Sequence, residues 1–412
     1  MTGGGTGGGA GGPGGARGIR ALRADKVRVP FRRPFPTSQG MWLAREAWIL
    51  RLIDVDGRTG LGEAVLDPED GETATIILDA LVREAVDAAS DGWLPTAEDL
   101  EMHGAPGRAL RAALDAAALD LGELAAGITG DDGPGVGVNA TIPHVGPRAS
   151  AEAALQALEA GFRTIKMKAG AEREVEVLVD RVRAVREAVG PDVRLRIDVN
   201  GAWDVETAVD RLLAIRRFGI EYVEQPIAGD DAAALADVRR RGRVPVAADE
   251  AVTSLRVARE LLEAGAVDVL VVKPARVGGP LVAGLIAELA AERGVPVVLS
   301  TLFETGVGIA AALAAAAGLP DITLAGAAEP PDHGLATAGL LEHDLLRHAL
   351  IVEDGRMWRP DEDEDEEDGG AGAGAVRGAG PAGSSGEPGA LGILIDEGAV
   401  RRYAVESSGA QA

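Results

Sequence analysis

Five stretches of the chain share one design: Thr164-Ile-Lys-Met-Lys168, Arg194-Leu-Arg-Ile-Asp-Val-Asn200, Glu221-Tyr-Val-Glu-Gln-Pro226, Pro245-Val-Ala-Ala-Asp-Glu250 and Val267-Asp-Val-Leu-Val-Val-Lys-Pro274. Each is a short apolar run of the kind that forms a buried strand, and each is closed by charge. The successive closing charges Lys168, Asp198, Glu224, Asp249 and Lys273 lie 30, 26, 25 and 24 residues apart. Such a spacing holds one strand and one returning helix, so each charge marks one βα unit. In a barrel of parallel strands the carboxyl ends converge on a single mouth. Two lysines and three carboxylates far apart in sequence are thereby predicted to share one site.

The same rhythm extends outward from these stretches. Val136-Gly-Val-Asn-Ala-Thr-Ile142 reads as the first strand, Ser150 as the cap of the helix after it, and Gly161, Gly190 and Gly219 as helix ends. Asp204 reads as a further cap, Pro280 as a first-turn proline, and residues 322–325 as the last of eight strands with seven helices between them. The predicted fold is therefore α/β, a (β/α)7β barrel over residues 131–335.

Residues 19–130 follow another pattern, with antiparallel arms around the turn Asp56-Gly57 and then helices over 73–90 and 106–126. They are predicted to form an α+β capping domain, whose turns at 36–40 and 63–67 are placed to reach the mouth. Residues 336–359 and 390–412 are expected to return to this domain, with Leu391-Gly-Ile-Leu-Ile-Asp396 resuming a strand. Residues 1–18 and 360–389 are dense in glycine, cannot bury a core, and are predicted to be a disordered tail and a disordered insertion.

Composition narrows the function. With 412 residues and 46% hydrophobic content the chain can hold one barrel and a smaller domain. Its 41 basic and 65 acidic residues leave a net charge of −24, which argues against nucleic acid or an anionic membrane as partner. The acidic block at 361–368 contributes to that charge and is expected to stay solvated. There is no cysteine, hence no disulfide framework and no thiolate metal site. The opening residues Met-Thr-Gly-Gly-Gly-Thr lack the regions of a signal peptide, and no run is apolar enough to span a bilayer, so the expected location is cytoplasmic.

Asp198, Glu224 and Asp249 form the oxygen-only ligand set that a hard cation such as Mg²⁺ prefers. A single carboxylate at a strand end is more often a helix cap or half of an ion pair, but three in consecutive units favour the metal. Asn200 and Glu250, each beside a ligand, are expected to orient the set. Lys166 and Lys168 alternate with Ile165 and Met167, so both ammonium groups point to one face, the bore or its mouth. Lys273 approaches the same space from another strand. Crowding and burial are expected to lower the pKa of these amines, turning them into bases. Amine bases beside a divalent cation suit removal of a proton α to a carboxylate.

In this order, Lys166-Met-Lys168, Asp198-Val-Asn200, Glu224-Gln-Pro226, Asp249-Glu250 and Lys273-Pro274 resemble the muconate-lactonizing subgroup of the enolase superfamily. The resemblance covers about residues 25–358 and 390–406, and it implies a cap that closes over the barrel and a Mg²⁺ cofactor for which Mn²⁺ can substitute. Phe218-Gly-Ile-Glu-Tyr-Val-Glu-Gln-Pro226, Lys273-Pro-Ala-Arg-Val-Gly-Gly279 and His333-Gly-Leu-Ala-Thr337 resemble the o-succinylbenzoate synthases of menaquinone biosynthesis. By that resemblance Lys168 abstracts the α proton and returns it to the leaving hydroxide in a syn elimination, while Lys273 stabilises the intermediate.

Ser300, Thr301 and Glu304 correspond to positions that contact substrate carboxylates, with helix capping as the alternative. The turn Pro36-Thr-Ser-Gln-Gly40 is closer to that of the racemases and epimerases. The rivals are therefore N-succinylamino acid racemase, muconate cycloisomerase and dipeptide epimerase, the last disfavoured because residues 325–333 hold no Asp-x-Asp. An inactive barrel kept as a binding protein should have lost one of the five groups, and none is missing. The implied partner is a small carboxylate substrate, and the sequence leaves room for a homo-oligomer.

Overall fold

The computed structural model describes residues 18–37, 40–122, 135–358 and 389–408. The predicted tail and insertion lie outside these, apart from Gly18 and Gly389. Seven parallel strands form one sheet in chain order: Ala140–Ile142, Thr164–Lys168, Arg194–Asp198, Ile220–Glu224, Val246–Ala248, Val269–Val272 and Val297–Leu299. A helix follows each strand, most of them with an apolar stripe of helical period, while Gly306–Ala317 is apolar all round. Ile165, Met167, Ile197 and Val223 join those stripes in the main core, whereas Ala247, Val269, Val271 and Val298 pack with Tyr222 in a separate cluster.

The fold is a barrel with a capping domain, but its eighth stave is not where it was predicted. Residues 322–325 form no strand. The seam closes instead through His333 and Gly334, which bridge in parallel to Val138 and Ser300. His333 N–H donates to the Gly137 carbonyl at 2.8 Å, Asn139 N–H to the His333 carbonyl at 2.9 Å, and Gly334 N–H to the Leu299 carbonyl at 2.7 Å. The half-buried His333 imidazole has its pKa pushed down to about 4 by loss of solvation and the Arg196 charge. Its Nδ1 accepts the Leu299 N–H at 2.9 Å. Two residues closing a barrel by backbone bonds leave no apolar period for a sequence reading to find.

Ser150 is likewise not a cap. Gly146 and Pro147 start the helix Pro147–Glu159, and Ser150 lies inside it, its hydroxyl donating to the Val145 carbonyl at 3.1 Å. Asp204 does cap its helix, accepting the Thr207 N–H at 2.8 Å.

The cap is an antiparallel sheet in the order Ala404–Ser408, Ile19–Thr37, Gly40–Asp54, Thr59–Ala64. The end of the chain thus pairs with the first strand, Ala24 opposite Ser408 and Lys26 opposite Glu406. Residues 391–396 form no strand, only an isolated bridge between Leu346 and Ile395. The helices Gly71–Ala89 and Gly104–Asp120 cover the sheet through Leu78, Val82, Leu110 and Ala113. The second of them lies so close that a Cβ on Gly62 would stand 1.9 Å from the Ala113 carbonyl oxygen.

Cap and barrel share an apolar seam, with Val27, Val29, Ile49 and Val65 on one side and Ala275, Leu302 and Leu345 on the other. No helix among the described residues is long and apolar enough to cross a membrane.

Candidate active site

Strand register places the charges. Lys168 is paired with Asp198, Asp198 with Glu224, and Lys166 with Arg196, so all point into the bore. Ala247 and Val271 also face the bore, and by alternation so do Asp249 and Lys273, two residues further along. Thus the structure brings together the three lysines and three carboxylates that the sequence singled out.

Lys166 Nζ lies 3.0 Å from Glu224 Oε1 and 3.1 Å from Asp198 Oδ2, and Lys168 Nζ lies 2.7 Å from the same Asp198 oxygen. Lys273 Nζ lies 2.6 Å from Asp249 Oδ2. All three carboxylates are at most 1% exposed. Among the described residues, no three carboxylate or imidazole side chains stand close enough together to hold a metal ion, since ammonium groups lie between them. The donor set nevertheless suits a hard cation in kind, being three buried carboxylates at the ends of neighbouring strands.

The electrostatics follow from this packing. Burial opposes the Lys166 charge, but Asp198, Glu224 and Asp249 outweigh it and hold the ammonium well above its ordinary pKa. The expectation that crowding lowers the lysine pKa is overturned at this position, because its nearest neighbours are carboxylates rather than other cations. Burial and the Asp198 charge push the Glu224 carboxyl up. Asp198 and Asp249 go the other way: burial raises each, but Lys166 and Lys168 beside the first, and Lys273 and Arg276 beside the second, hold them below the usual range.

Asn200 and Glu250 link the two halves of the site. Lys168 Nζ donates to Asn200 Oδ1 at 2.9 Å, and Asn200 Nδ2 donates to Glu250 Oε1 at 2.9 Å. Asn200 reaches both by adopting φ +49°, its N–H held by Asp198 Oδ1 at 3.1 Å.

Ser300, Thr301 and Glu304 are buried, and none caps a helix; the cap of Gly306–Ala317 is Thr305. Ser300 donates to the Gly334 carbonyl of the closing stave at 3.4 Å, and Thr301 Oγ1 lies 2.8 Å from Thr337 Oγ1 in the segment after it. Glu304 accepts the Leu302 N–H and faces Glu63 and Arg45 of the cap. The 63–67 turn does reach the barrel: Glu63 accepts the Thr305 and Gly308 N–H groups at 3.0 and 2.9 Å, and Asp67 lies 2.6 Å from Arg276.

Three residues important to this geometry were not singled out from sequence. Arg276 spans the seam, its other nitrogen 2.8 Å from Asp249 Oδ1. Gln225, fully buried at φ +38°, accepts the Asp249 and Ala251 N–H groups and donates to the Ile227 and Gly229 carbonyls. The exposed Thr141, paired in register with Lys166, lines the bore on the neighbouring strand. The Gln225-Pro226 pair was visible as a motif, but nothing in it said what the amide holds.

Residues 149–364 match the enolase C-terminal domain-like family. The chain is 45% identical to the o-succinylbenzoate synthase of Thermobifida fusca over 221 residues, 53% of this chain and 65% of that protein. It therefore spans just under two thirds of that synthase's length. It is 33% identical to an N-succinylamino acid racemase of an Amycolatopsis species over 319 residues, 73% of this chain and 83% of that one. Among solved structures, the muconate lactonizing enzyme of Pseudomonas fluorescens complexed with muconolactone shares the fold. The TM-score is 0.73 at 22% identity, covering 95% of this chain and 100% of that one.

Proposed function

The chain belongs to the enolase superfamily, in its muconate-lactonizing subgroup, and from that premise we propose that it acts as an o-succinylbenzoate synthase. The observation that carries this reading is the 45% identity to the Thermobifida fusca synthase, and the site supplies Lys168 and Lys273 over three buried carboxylates. Their strands are the second and sixth of the barrel and so stand on opposite sides of the mouth.

In the proposed reaction the Lys168 amine takes the proton from the carbon α to a ring carboxylate, and the C–H pair becomes part of a new double bond. Hydroxide departs from the same face with the proton that Lys168 returns, so water leaves and the amine is regenerated. Lys273 and Lys166 supply fixed positive charge to the developing anion. Asp198, Glu224 and Asp249 would hold Mg²⁺ or Mn²⁺, oriented by Asn200 and Glu250. When bound, the cation supplies Lewis-acid charge to the substrate carboxylate as the α proton is lost. Ser300 and Thr301 border the same bore and would contact the substrate, with Glu304 supporting them from the seam.

A second reading has its own support. The match to the racemase covers more of this chain than the match to the synthase, and two opposed amines are what two-base racemisation of an N-succinylamino acid requires. Dipeptide epimerisation stays disfavoured after the eighth stave is relocated, because Leu335-Ala-Thr337, which follows it, holds no Asp-x-Asp.

The test is to incubate the protein with the cyclohexadiene carboxylate of the synthase reaction and with an N-succinylamino acid, each with Mg²⁺ and with a chelator. Dehydration that is abolished by chelation and restored by Mg²⁺ or Mn²⁺ is expected. Racemisation without dehydration would replace the first reading by the second. Full turnover in a metal-free preparation would remove the cation from the account.

A further inference from the structure

Behind the strand that ends in Lys168 lies a buried ion pair that the proposed chemistry does not use. Arg181, on the helix Val175–Val189, is 1% exposed, and Glu172, in the loop before that helix, is 5% exposed. The two side chains are in direct contact. A buried pair of this kind contributes little stability by itself, since desolvation offsets the attraction. What else the pair holds therefore carries its meaning.

Arg181 Nη2 donates to the backbone carbonyl of Lys168 at 2.9 Å and, more weakly, to that of Pro143 at 3.4 Å. Glu172 Oε2 accepts the Gly170 N–H at 2.8 Å, and its Oε1 lies 3.1 Å from His144 Nε2. Arg211 Nη2 fastens the same loop by donating to the Glu172 and Arg173 carbonyls at 2.8 and 3.0 Å. Both chain segments leaving the first two barrel strands are thus tied to one pair. Between the ties the chain turns at Gly170, at φ +99°, where a Cβ would stand 2.7 Å from the Val199 carbonyl oxygen. The main chain on both sides of the turn is held, while the Lys168 side chain extends to Asp198 and Asn200.

We infer that the Arg181–Glu172 pair is a positioning device for Lys168, fixing the main chain from Lys168 to Gly170 and so the depth at which the amine enters the mouth. The inference rests on the reading of Lys168 as the base. Arg181 and Glu172 are positioning residues, since the pair reaches Lys168 through its backbone carbonyl. A misplacement of about 1 Å in such a group costs on the order of 10²-fold in rate.

The test uses Arg181→Met, Arg181→Lys and the double variant Arg181→Met/Glu172→Gln. Arg181→Met strands a buried carboxylate and is expected to lose thermal stability; the double variant removes that charge and recovers it. The recovered double variant is nevertheless expected to keep a kcat about 10²-fold below wild type, with KM within about threefold, because the Lys168 carbonyl has lost its donor. Arg181→Lys, which keeps the charge but can serve fewer partners, should fall between. A kcat that returns together with the melting temperature would make the pair merely structural and overturn the inference.

Amide hydrogen exchange over residues 168–172 reads the same device without turnover. Exchange about tenfold faster in the double variant is expected, and unchanged exchange would overturn the inference. A wild-type protein that neither turns over nor exchanges an α hydrogen, yet shows this faster amide exchange in the double variant, would refute the base reading while upholding the hold on the main chain.

Discussion

Replacing Glu63 by glutamine should change how the protein's stability depends on pH. The Glu63 side chain crosses from cap to barrel and accepts three hydrogen bonds there: Thr305 N–H at 3.0 Å, Thr305 O–H at 2.7 Å and Gly308 N–H at 2.9 Å. Burial, and then the nearby Glu304, nonetheless push its carboxyl from 4.5 up to about 7, the hydrogen bonds opposing this only in part. An acid that binds its proton more tightly in the folded state favours folding fully below its unfolded pKa. That contribution shrinks as pH rises and is lost once pH passes the folded pKa. Here the window runs from about 4.5 to about 7, and the gap corresponds to roughly 3 kcal/mol at most.

Glutamine cannot ionise, so the unfolding free energy of Glu63→Gln measured against wild type should rise by up to roughly 3 kcal/mol across that window. Relief of Glu304, whose carboxyl is also raised by burial, works in the same direction. Denaturant unfolding followed by tryptophan fluorescence at pH 4.5, 6 and 8 measures the difference directly. A difference that stays constant within about 0.5 kcal/mol, well below the expected change, would refute the buried carboxyl pair as the cause.

Gln225→Leu keeps the shape of the side chain but strands the Asp249 and Ala251 N–H groups and the Ile227 and Gly229 carbonyls. It should cost about 3 kcal/mol, and thermal unfolding within a degree of wild type would contradict this. Gly170→Ala forces a Cβ against Val199 and Ala202 at a left-handed φ, so a loss of about 2 kcal/mol is expected, together with a fall in kcat that steady-state kinetics would detect. In the proposed synthase reaction, chelation should stop turnover and Mg²⁺ restore it, as followed by absorbance of that reaction's aromatic product.

Much of the site was legible because chemistry and period coincide in it. Lys166 and Lys168 alternate with apolar residues, and Asp198, Glu224 and Asp249 each end an apolar run, so register alone brings them together. The residues that escaped notice act across sequence distance. Arg276 lies 27 residues from Asp249 and 209 from Asp67, and nothing local to Lys273-Pro-Ala-Arg276 announces a guanidinium spanning two domains. Arg181 reads locally as one charged residue on an amphipathic helix, and only the fold shows that it is buried.

The eighth stave was misplaced for a related reason. His333 and Gly334 close the barrel through backbone bonds, while the apolar residues at 322–325 mimic a strand without pairing as one. Lys166 is not a lowered-pKa amine, because the Asp198 and Glu224 carboxylates, remote in sequence, lie against its ammonium.

The central claim is that Lys168 moves the α proton, and deuterium exchange tests it most directly. Wild-type protein and Lys168→Ala, each with Mg²⁺ in D₂O, are given the synthase substrate and an N-succinylamino acid, and loss of the α-proton signal is followed by NMR beside product formation. The account predicts that Lys168→Ala loses both dehydration and exchange by about 10³-fold or more, within the span of a positioned acid–base group. Lys273→Arg, in contrast, should slow dehydration while leaving exchange through Lys168 detectable. Exchange and turnover by Lys168→Ala within about tenfold of wild type, far short of that span, would contradict the assignment of the base.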